Sequence, residues 1–291
     1  MGAPAEAWRF PRLAREQTVL VAVLFGLAGL AWWLTGRRMD GMAMGPTTEL
    51  GRLGFYVGVW VVMMVAMMFP SAWPIIGMYE RIRTTRAEAP RSATALVVAG
   101  YLFTWTVWGL AAYGLVRGGR EVFGDFLPWA GAGRWAAAGV VLVAAAYQVT
   151  PLKNACLTRC RGPLMFVMEN WRPGGWGAFR MGAVHGAWCV GCCWTLMAAL
   201  FALGVMSIGW MAFIAALIAV EKLVPSRVVA NYSVTVVLLV VGTALLVDPA
   251  AVPGTPRSAS SSGAGMHIKG DAMTGDAMKG EAMKGDAMDP P

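Results

Sequence analysis

Long apolar runs, separated by short segments rich in arginine, occupy most of the first 247 positions of the chain. An α-helix of about 20 apolar residues spans the hydrocarbon core of a bilayer. The second run is overlong and contains Pro70 and Pro74, which predict a kink near its end. The pattern predicts an all-α integral membrane protein, a polytopic helical bundle of about seven transmembrane spans. The runs lie at 18–35, 53–79, 93–116, 135–149, 183–203, 210–224 and 228–247.

The lysine and arginine side chains are distributed unequally between the two sides of these runs. With the N-terminus inside the cell, the inner segments before residue 248 carry fourteen of them and the outer loops six. Cytoplasmic loops of membrane proteins carry such an excess. We therefore predict a multi-pass protein of the bacterial inner (plasma) membrane, with a cytoplasmic N-terminus and a periplasmic or extracellular C-terminus. The net charge of +8 follows from this topology, so the expected partner is the lipid bilayer and no nucleic acid.

The composition changes abruptly after the last run, which divides the chain into three parts. Residues 1–247 form the predicted multispan transmembrane domain. Residues 248–265 are rich in Pro, Ala, Ser and Gly, a composition typical of a flexible linker. Residues 266–291 repeat Gly, an acid, Ala and Met every five positions. This Met-rich C-terminal tail is too polar to bury a core, so we expect it to be disordered.

Methionine is an unusual choice for a solvated repeat, because water offers no reward for an apolar side chain. Thioether sulfur is a soft neutral ligand that suits Cu(I). A second polar segment with several methionines, MDGMAM, follows the first run on the same predicted side of the membrane. Copper capture and simple repeat expansion both remain open as explanations of the tail. The candidate ligands are Met39, Met42 and Met44 in the loop, and Met266, His267, Met273, Met278, Met283 and Met288 in the tail.

The fifth run carries the sharpest chemical signal, the stretch AVHGAWCVGCCW. His185, Cys189 and Cys192 are spaced i, i+4 and i+7, so they share one helix face, with Cys193 at its margin and Met197 one turn beyond. Thiolate and imidazole ligands of this kind bind soft metal ions. The second run adds MMVAMM at a similar predicted depth, although methionine is also an ordinary packing residue. Its candidate ligands are Met63, Met64, Met67 and Met68.

The other two cysteines, Cys156 and Cys160, lie in PLKNACLTRCRGP on the predicted inner side. Neighbouring cations favour the thiolate form that metals and redox partners need. The alternative is a structural role, since no second pair completes a four-ligand zinc site. Glu221 lies near the inner end of the sixth run, where a carboxylate is costly and by default functional. It either orients His185, balances the positive inner surface or forms an interfacial pair with Lys222.

Three stretches give the chain a resemblance to a known family. These are PLKNACLTRCRGP, FRMGAVHGAWCVGCCWTLM and the WM and EK positions of the sixth run. They resemble a bacterial family of predicted metal-binding integral membrane proteins of unknown function. The resemblance extends over about residues 61–224 and implies metal binding in a multispan helical protein. It does not include the Met-rich tail.

Together these features favour a membrane metal-binding protein that handles Cu(I), by transport or delivery across the inner membrane through Met and Cys ligands. Zinc is the alternative ion, and copper chaperones or respiratory enzymes are the expected protein partners. A membrane thiol-disulfide oxidoreductase is an alternative because Cys189 and Cys192 form a Cys-x-x-Cys motif. A copper-insertion assembly factor would use the same ligands. The chain has no P-loop motif for ATP, and the pattern favours a binding protein over an enzyme.

The lysine and arginine distribution gives a first testable prediction. A reporter fused after Asp248 should be active on the outer side of the membrane, because the predicted topology places the C-terminus there. Paired fusions of a periplasm-active and a cytoplasm-active reporter measure this directly. A cytoplasmic C-terminus would contradict the topology and would put the Met-rich tail on the wrong side for capturing external copper.

Overall fold

The computed structural model describes residues 15–39, 53–85, 90, 92–123, 133–204 and 207–248. These residues form helices and no strand, which confirms the all-α prediction. The linker, the tail and the loop that contains Met42 and Met44 lie outside the described residues. The helices are α1 (Arg15–Met39), α2 (Leu53–Arg83), α3 (Ala93–Phe123), α4 (Arg134–Gln148), α5 (Pro151–Arg161), α6 (Pro163–Asn170), α7 (Gly174–Leu203), α8 (Ile208–Leu223) and α9 (Arg227–Val247).

Fewer of these helices than the expected seven could span a bilayer. Five are long and apolar enough, namely α1, α2, α3, α7 and α9. The pair formed by α4 and α5, bent by 69°, counts as a sixth only if it is a single broken span. The predicted sixth span corresponds to α8, whose 16 residues reach about 24 Å, less than the hydrocarbon thickness of about 30 Å. The described chain therefore has five or six candidate spans.

Helix α2 continues through both of its prolines, and a neighbouring helix compensates for one lost hydrogen bond. Pro70 has no N–H, so it cannot donate to the carbonyl of Ala66 one turn earlier. The indole Nε1 of Trp32 on α1 donates to that carbonyl at 3.1 Å instead. The proline thus creates an attachment point between α1 and α2, because a carbonyl buried in the bundle needs a donor.

Helix α3 lies against α7 with almost no side-chain volume between the two backbones. A Cβ atom on Gly100 of α3 would overlap the carbonyl oxygen of Phe179, and one on Gly182 of α7 would overlap that of Val97. The hydroxyl of Thr104 also donates to the Ala183 carbonyl at 3.0 Å. Small residues that allow such close approach are typical of helix pairs in membranes.

Helix α7 lies at the centre of the bundle, with α3, α4, α5 and α8 packed around it. The phenolic hydroxyl of Tyr147 on α4 donates to the carbonyl of Gly191 at 2.7 Å, which ties α4 to the cysteine-bearing segment of α7. Trp60 of α2 donates through Nε1 to the carbonyl of Trp105 on α3 at 2.8 Å, and its ring stacks on Phe201 of α7. The middle of α7 is therefore shielded by helices on several sides.

The close approach of α3 and α7 predicts the effect of adding one methyl group. The substitution Gly182→Ala should destabilise the protein by about 1–3 kcal/mol, because the new Cβ can be accommodated only if two backbones separate. Thermal unfolding in detergent measures the change. Gly114→Ala on α3 is the matched control, since no atom beyond the local helix backbone lies within 4 Å of its Cβ position, and it should be neutral or slightly stabilising. Equal unfolding temperatures for both variants would contradict the prediction.

Candidate metal centre

Three thiols on one face of α7 form the candidate metal centre. Cys189, Cys192 and Cys193 are spaced i, i+3 and i+4, and their Sγ atoms lie within 4.8 Å of one another. Their exposed fractions are 0%, 1% and 0%. Metal–sulfur bonds of about 2.3 Å place two sulfurs on opposite sides of one ion about 4.6 Å apart. Small side-chain rotations are therefore enough for one ion to bind all three sulfurs. We call Cys189, Cys192 and Cys193 the three-thiol group.

The remaining two cysteines, Cys156 and Cys160 of α5, lie beside this group. Helix α5 packs against α7 and brings the Cys160 Sγ to 3.8 Å from the Cys192 Sγ. The Cys156 Sγ lies 2.8 Å from the position that a Cβ atom on Gly191 would take. The sequence treated Cys156 and Cys160 as a pair apart from the cysteines of α7, whereas the structure brings both of them against the segment of α7 that carries the three-thiol group. The bend between α4 and α5 turns α5 back onto α7, and sequence spacing does not encode that bend.

Hydrogen bonds hold the three-thiol group in place, and Cys189 accepts them through both its backbone carbonyl and its sulfur. The thiols of Cys192 and Cys193 both donate to the backbone carbonyl of Cys189, at 3.1 and 2.8 Å. The Cys189 sulfur is contacted by the ammonium of Lys222 at 3.0 Å and by the hydroxyl of Tyr101 at 3.1 Å. These two partners come from α8 and α3, so the position of Cys189 is fixed from outside α7.

Tyr101 and Ser71 beside the site were not identified from the sequence. Ser71 accepts a hydrogen bond from Lys222 at 3.1 Å, so it completes a chain from α2 through α8 to Cys189. Lys222 itself was noted only as a partner for Glu221. The one feature of the sequence that could have pointed to Lys222 as part of the site was the presence of a lysine at the end of an apolar run. Tyr101 and Ser71 gave no such signal, because a single hydroxyl side chain in an apolar run is common and neither residue belongs to a spaced set of metal ligands.

His185 lies one turn from Cys189 but is not part of the three-thiol group. Its imidazole is buried between two rings, stacked on Tyr101 at 5.5 Å between centroids and edge-on to Phe166 at 5.3 Å. Among the described residues, no hydrogen-bond partner faces its Nδ1 atom. The common helix face expected from the sequence is present, but the ring packs against α3 and α6 beside the thiols.

The predicted methionine ligands of α2 are all buried in the same core cluster as the three-thiol group. Met197 on α7 belongs to this cluster too. The structure thus places thioethers and thiols in one apolar core. Met39 ends α1, and the candidate ligands of the following loop and of the tail lie outside the described residues. The buried methionines are Met63, Met64, Met67, Met68 and Met197.

Glu221 forms a buried ion pair with Lys153 of α5, a partner that the sequence did not suggest. The Nζ–Oε2 distance is 2.7 Å, and the side chains are 0% and 1% exposed. The guanidinium of Arg161 also donates to the carbonyls of Glu221 at 3.2 Å and Pro225 at 3.0 Å, at the end of α8. Glu221 therefore fixes α5 against α8, with Lys153 as its recorded partner instead of His185 or Lys222.

The buried ion pair predicts a large effect for its single variants. Glu221→Gln should destabilise the protein by about 3–5 kcal/mol, because it leaves the Lys153 ammonium buried without a counter-charge. The double variant Lys153→Met with Glu221→Leu should recover most of that loss, since no buried charge remains. Thermal unfolding in detergent is the measurement.

An exposed ion pair on the same part of the chain provides the control for this experiment. Arg159 and Glu169 are 49% and 45% exposed, so Glu169→Gln should change stability by less than about 1 kcal/mol. Similar losses for the Glu221 and Glu169 variants would show that burial does not set the strength of the Lys153–Glu221 pair.

Comparison with known proteins identifies a family for most of the helical region. The family model described as PpoB2, copper chaperone, matches residues 57–245, which is more than half of the chain. The match contains all five cysteines and ends before the tail. No curated protein and no solved structure matches the chain. The resemblance seen in the sequence suggested a metal-binding family without a settled activity, and the match makes it a copper-related one.

Proposed function

This chain belongs to the PpoB2 copper-chaperone family, and from that premise we propose that it binds Cu(I) as cargo through the three-thiol group and delivers it to another protein. The observation that carries the proposal is the convergence of three buried sulfurs within 4.8 Å on α7. A helix whose cysteines served only as packing residues would gain nothing from this clustering, because isolated buried cysteines pack as small hydrophobic residues.

The chemistry of the donor set favours Cu(I) over zinc. Thiolate and thioether sulfur are the soft ligands that select Cu(I), and here both types lie in one dry core. Structural zinc almost always takes four ligands in a tetrahedron. Cys160 beside Cys192 is the closest candidate for a fourth sulfur, so zinc binding at this site is the competing outcome.

We further propose a route for the cargo through the sulfur ligands of the bundle. The methionines of α2 supply neutral sulfur within the core, and Cys156 and Cys160 on α5 exchange copper with a partner on the inner side. The Met-rich loop and tail collect copper outside, in a protein of the bacterial inner membrane with its N-terminus inside. Copper insertion into a respiratory enzyme would be one use of this delivery.

A thiol-disulfide oxidoreductase is the second candidate, and the Cys160–Cys192 pair is the observation that favours it. Their sulfurs are 3.8 Å apart, and a disulfide bond of about 2.05 Å needs only a modest approach. Redox enzymes with a Cys-x-x-Cys motif expose the attacking thiol, whereas Cys189 and Cys192 are both buried inside a helix. The thiol count of the purified protein separates the two candidates.

The proposed function predicts the copper content of purified variants. The full-length protein, purified anaerobically in detergent with Cu(I), should retain about one copper per chain with all five thiols reduced. The variant Cys189→Ser/Cys192→Ser/Cys193→Ser should lose nearly all of it, because hydroxyl oxygen is a hard, poor ligand for Cu(I). Cys156→Ser is the matched control, since it removes a buried thiol outside the three-thiol group, and it should keep most of the copper.

Elemental analysis beside thiol titration gives both quantities from one sample. Equal copper in the wild-type and triple-Ser proteins would contradict the proposed site. Two thiols missing from the untreated protein, together with no copper, would favour the oxidoreductase.

A further inference from the structure

Lys222 places a positive charge directly on the three-thiol group. It lies near the end of α8, and its Nζ atom donates to the Cys189 sulfur at 3.0 Å and to the Ser71 hydroxyl at 3.1 Å. Ser71 is neutral and itself donates to the backbone carbonyl of Met68, which keeps it oriented. The ammonium is thus held by two partners, only one of which can carry a negative charge.

No carboxylate cancels this charge by a direct ion pair in the part of the chain that the structure describes. The adjacent Glu221 points to α5, where its carboxylate binds Lys153 at 2.7 Å. The ion pairs recorded among described residues involve other cations on α2, α3 and α5. The negative charge that can neutralise the Lys222 ammonium is therefore that of the three-thiol group, which Lys222 contacts through the Cys189 sulfur.

We propose that Lys222 is a specificity-determining residue that makes the three-thiol group select monovalent Cu(I) over divalent Zn²⁺. This inference rests on the proposed function, because it assumes that the three thiols bind the metal. Three thiolates with Cu(I) carry a net charge of −2, and the same thiolates with Zn²⁺ carry −1. The ammonium therefore attracts the copper assembly more strongly than the zinc assembly. Burial makes this difference larger than it would be in water.

Tyr101 provides an internal comparison because it contacts the same sulfur without a charge. Its hydroxyl lies 3.1 Å from the Cys189 Sγ, close to the 3.0 Å of the Lys222 contact. Loss of either contact frees Cys189 and should weaken the binding of any metal, since outer hydrogen-bond partners orient the ligands. Only the loss of Lys222 changes the charge next to the ion. A change in the ratio of the Cu(I) and Zn²⁺ affinities therefore measures the effect of the charge. An equal decrease in both affinities measures the effect of positioning Cys189.

The test compares Cu(I) and Zn²⁺ affinities of the full-length protein, purified anaerobically in detergent and titrated against competing chelators. For Lys222→Met, the preference for Cu(I) over Zn²⁺ should fall by about tenfold or more, the scale on which outer-shell changes alter metal affinity. Lys222→Arg keeps the charge and should keep the ratio. Tyr101→Phe should lower both affinities and leave the ratio unchanged. If Lys222→Met does not fold, Lys222→Gln replaces it with the same expectation.

Each outcome supports or overturns the inference. An unchanged ratio in Lys222→Met overturns it, whatever happens to the individual affinities. It is equally overturned if Lys222→Arg loses the ratio together with Lys222→Met, because charge would not be the cause. A wild-type protein that binds neither ion refutes the three-thiol proposal and this inference with it. A wild-type protein that binds Cu(I) through the three thiols but does not depend on Lys222 leaves the proposed function intact and refutes only the selectivity role.

Discussion

The close packing of α7 against its neighbours is the constraint on which the rest of the structure depends. Gly182 allows the backbone of α3 to touch α7, and Tyr147 binds the carbonyl of Gly191 from α4. These contacts surround the segment that carries the three thiols, so water is excluded from it. In such an environment any charge needs a nearby partner. The buried ion pair and the lysine at Cys189 both follow from this requirement.

Two adjacent residues of α8 satisfy the requirement in opposite ways. Glu221 and Lys222 point to different neighbours because successive residues of a helix are about 100° apart around its axis. Glu221 is neutralised by Lys153 and joins α8 to α5, a purely structural connection as far as its contacts show. Lys222 has no such partner among the described ion pairs and contacts a thiol instead. Glu221 and Lys222, which the sequence offered as a possible interfacial pair, therefore serve different neighbours, one a structural ion pair and the other the candidate metal centre.

The sequence predicted the features that depend on local periodicity, and it missed those that depend on how helices meet. Apolar runs located every long helix, and the spacing of Cys189, Cys192 and Cys193 placed them on one face. Periodicity says nothing about the angle between consecutive helices, so the bend that returns α5 and Cys160 to α7 could not be foreseen. Tyr101 was missed for the same reason, since it reaches the site from a helix far away in sequence. The sequence predicted seven spans where the described helices give five or six candidates, because apolar character alone did not distinguish the short α8 from a full span.

Burying the two kinds of sulfur in the core has different energetic costs, and this difference bears on how a chaperone of this family can hold copper. A thioether is neutral, so the methionines of α2 can be buried in the same core as the thiols without any counter-charge. A thiolate site is negative, and an apolar bundle tolerates it only where a cation offsets the charge. In the proposed chaperone, copper held by methionines would be bound weakly and released readily, and copper held by the cysteines would be bound tightly. In that proposal the lysine at Cys189 would do more than orient one ligand, because its positive charge would offset the negative sulfurs concentrated where the surrounding helices exclude water.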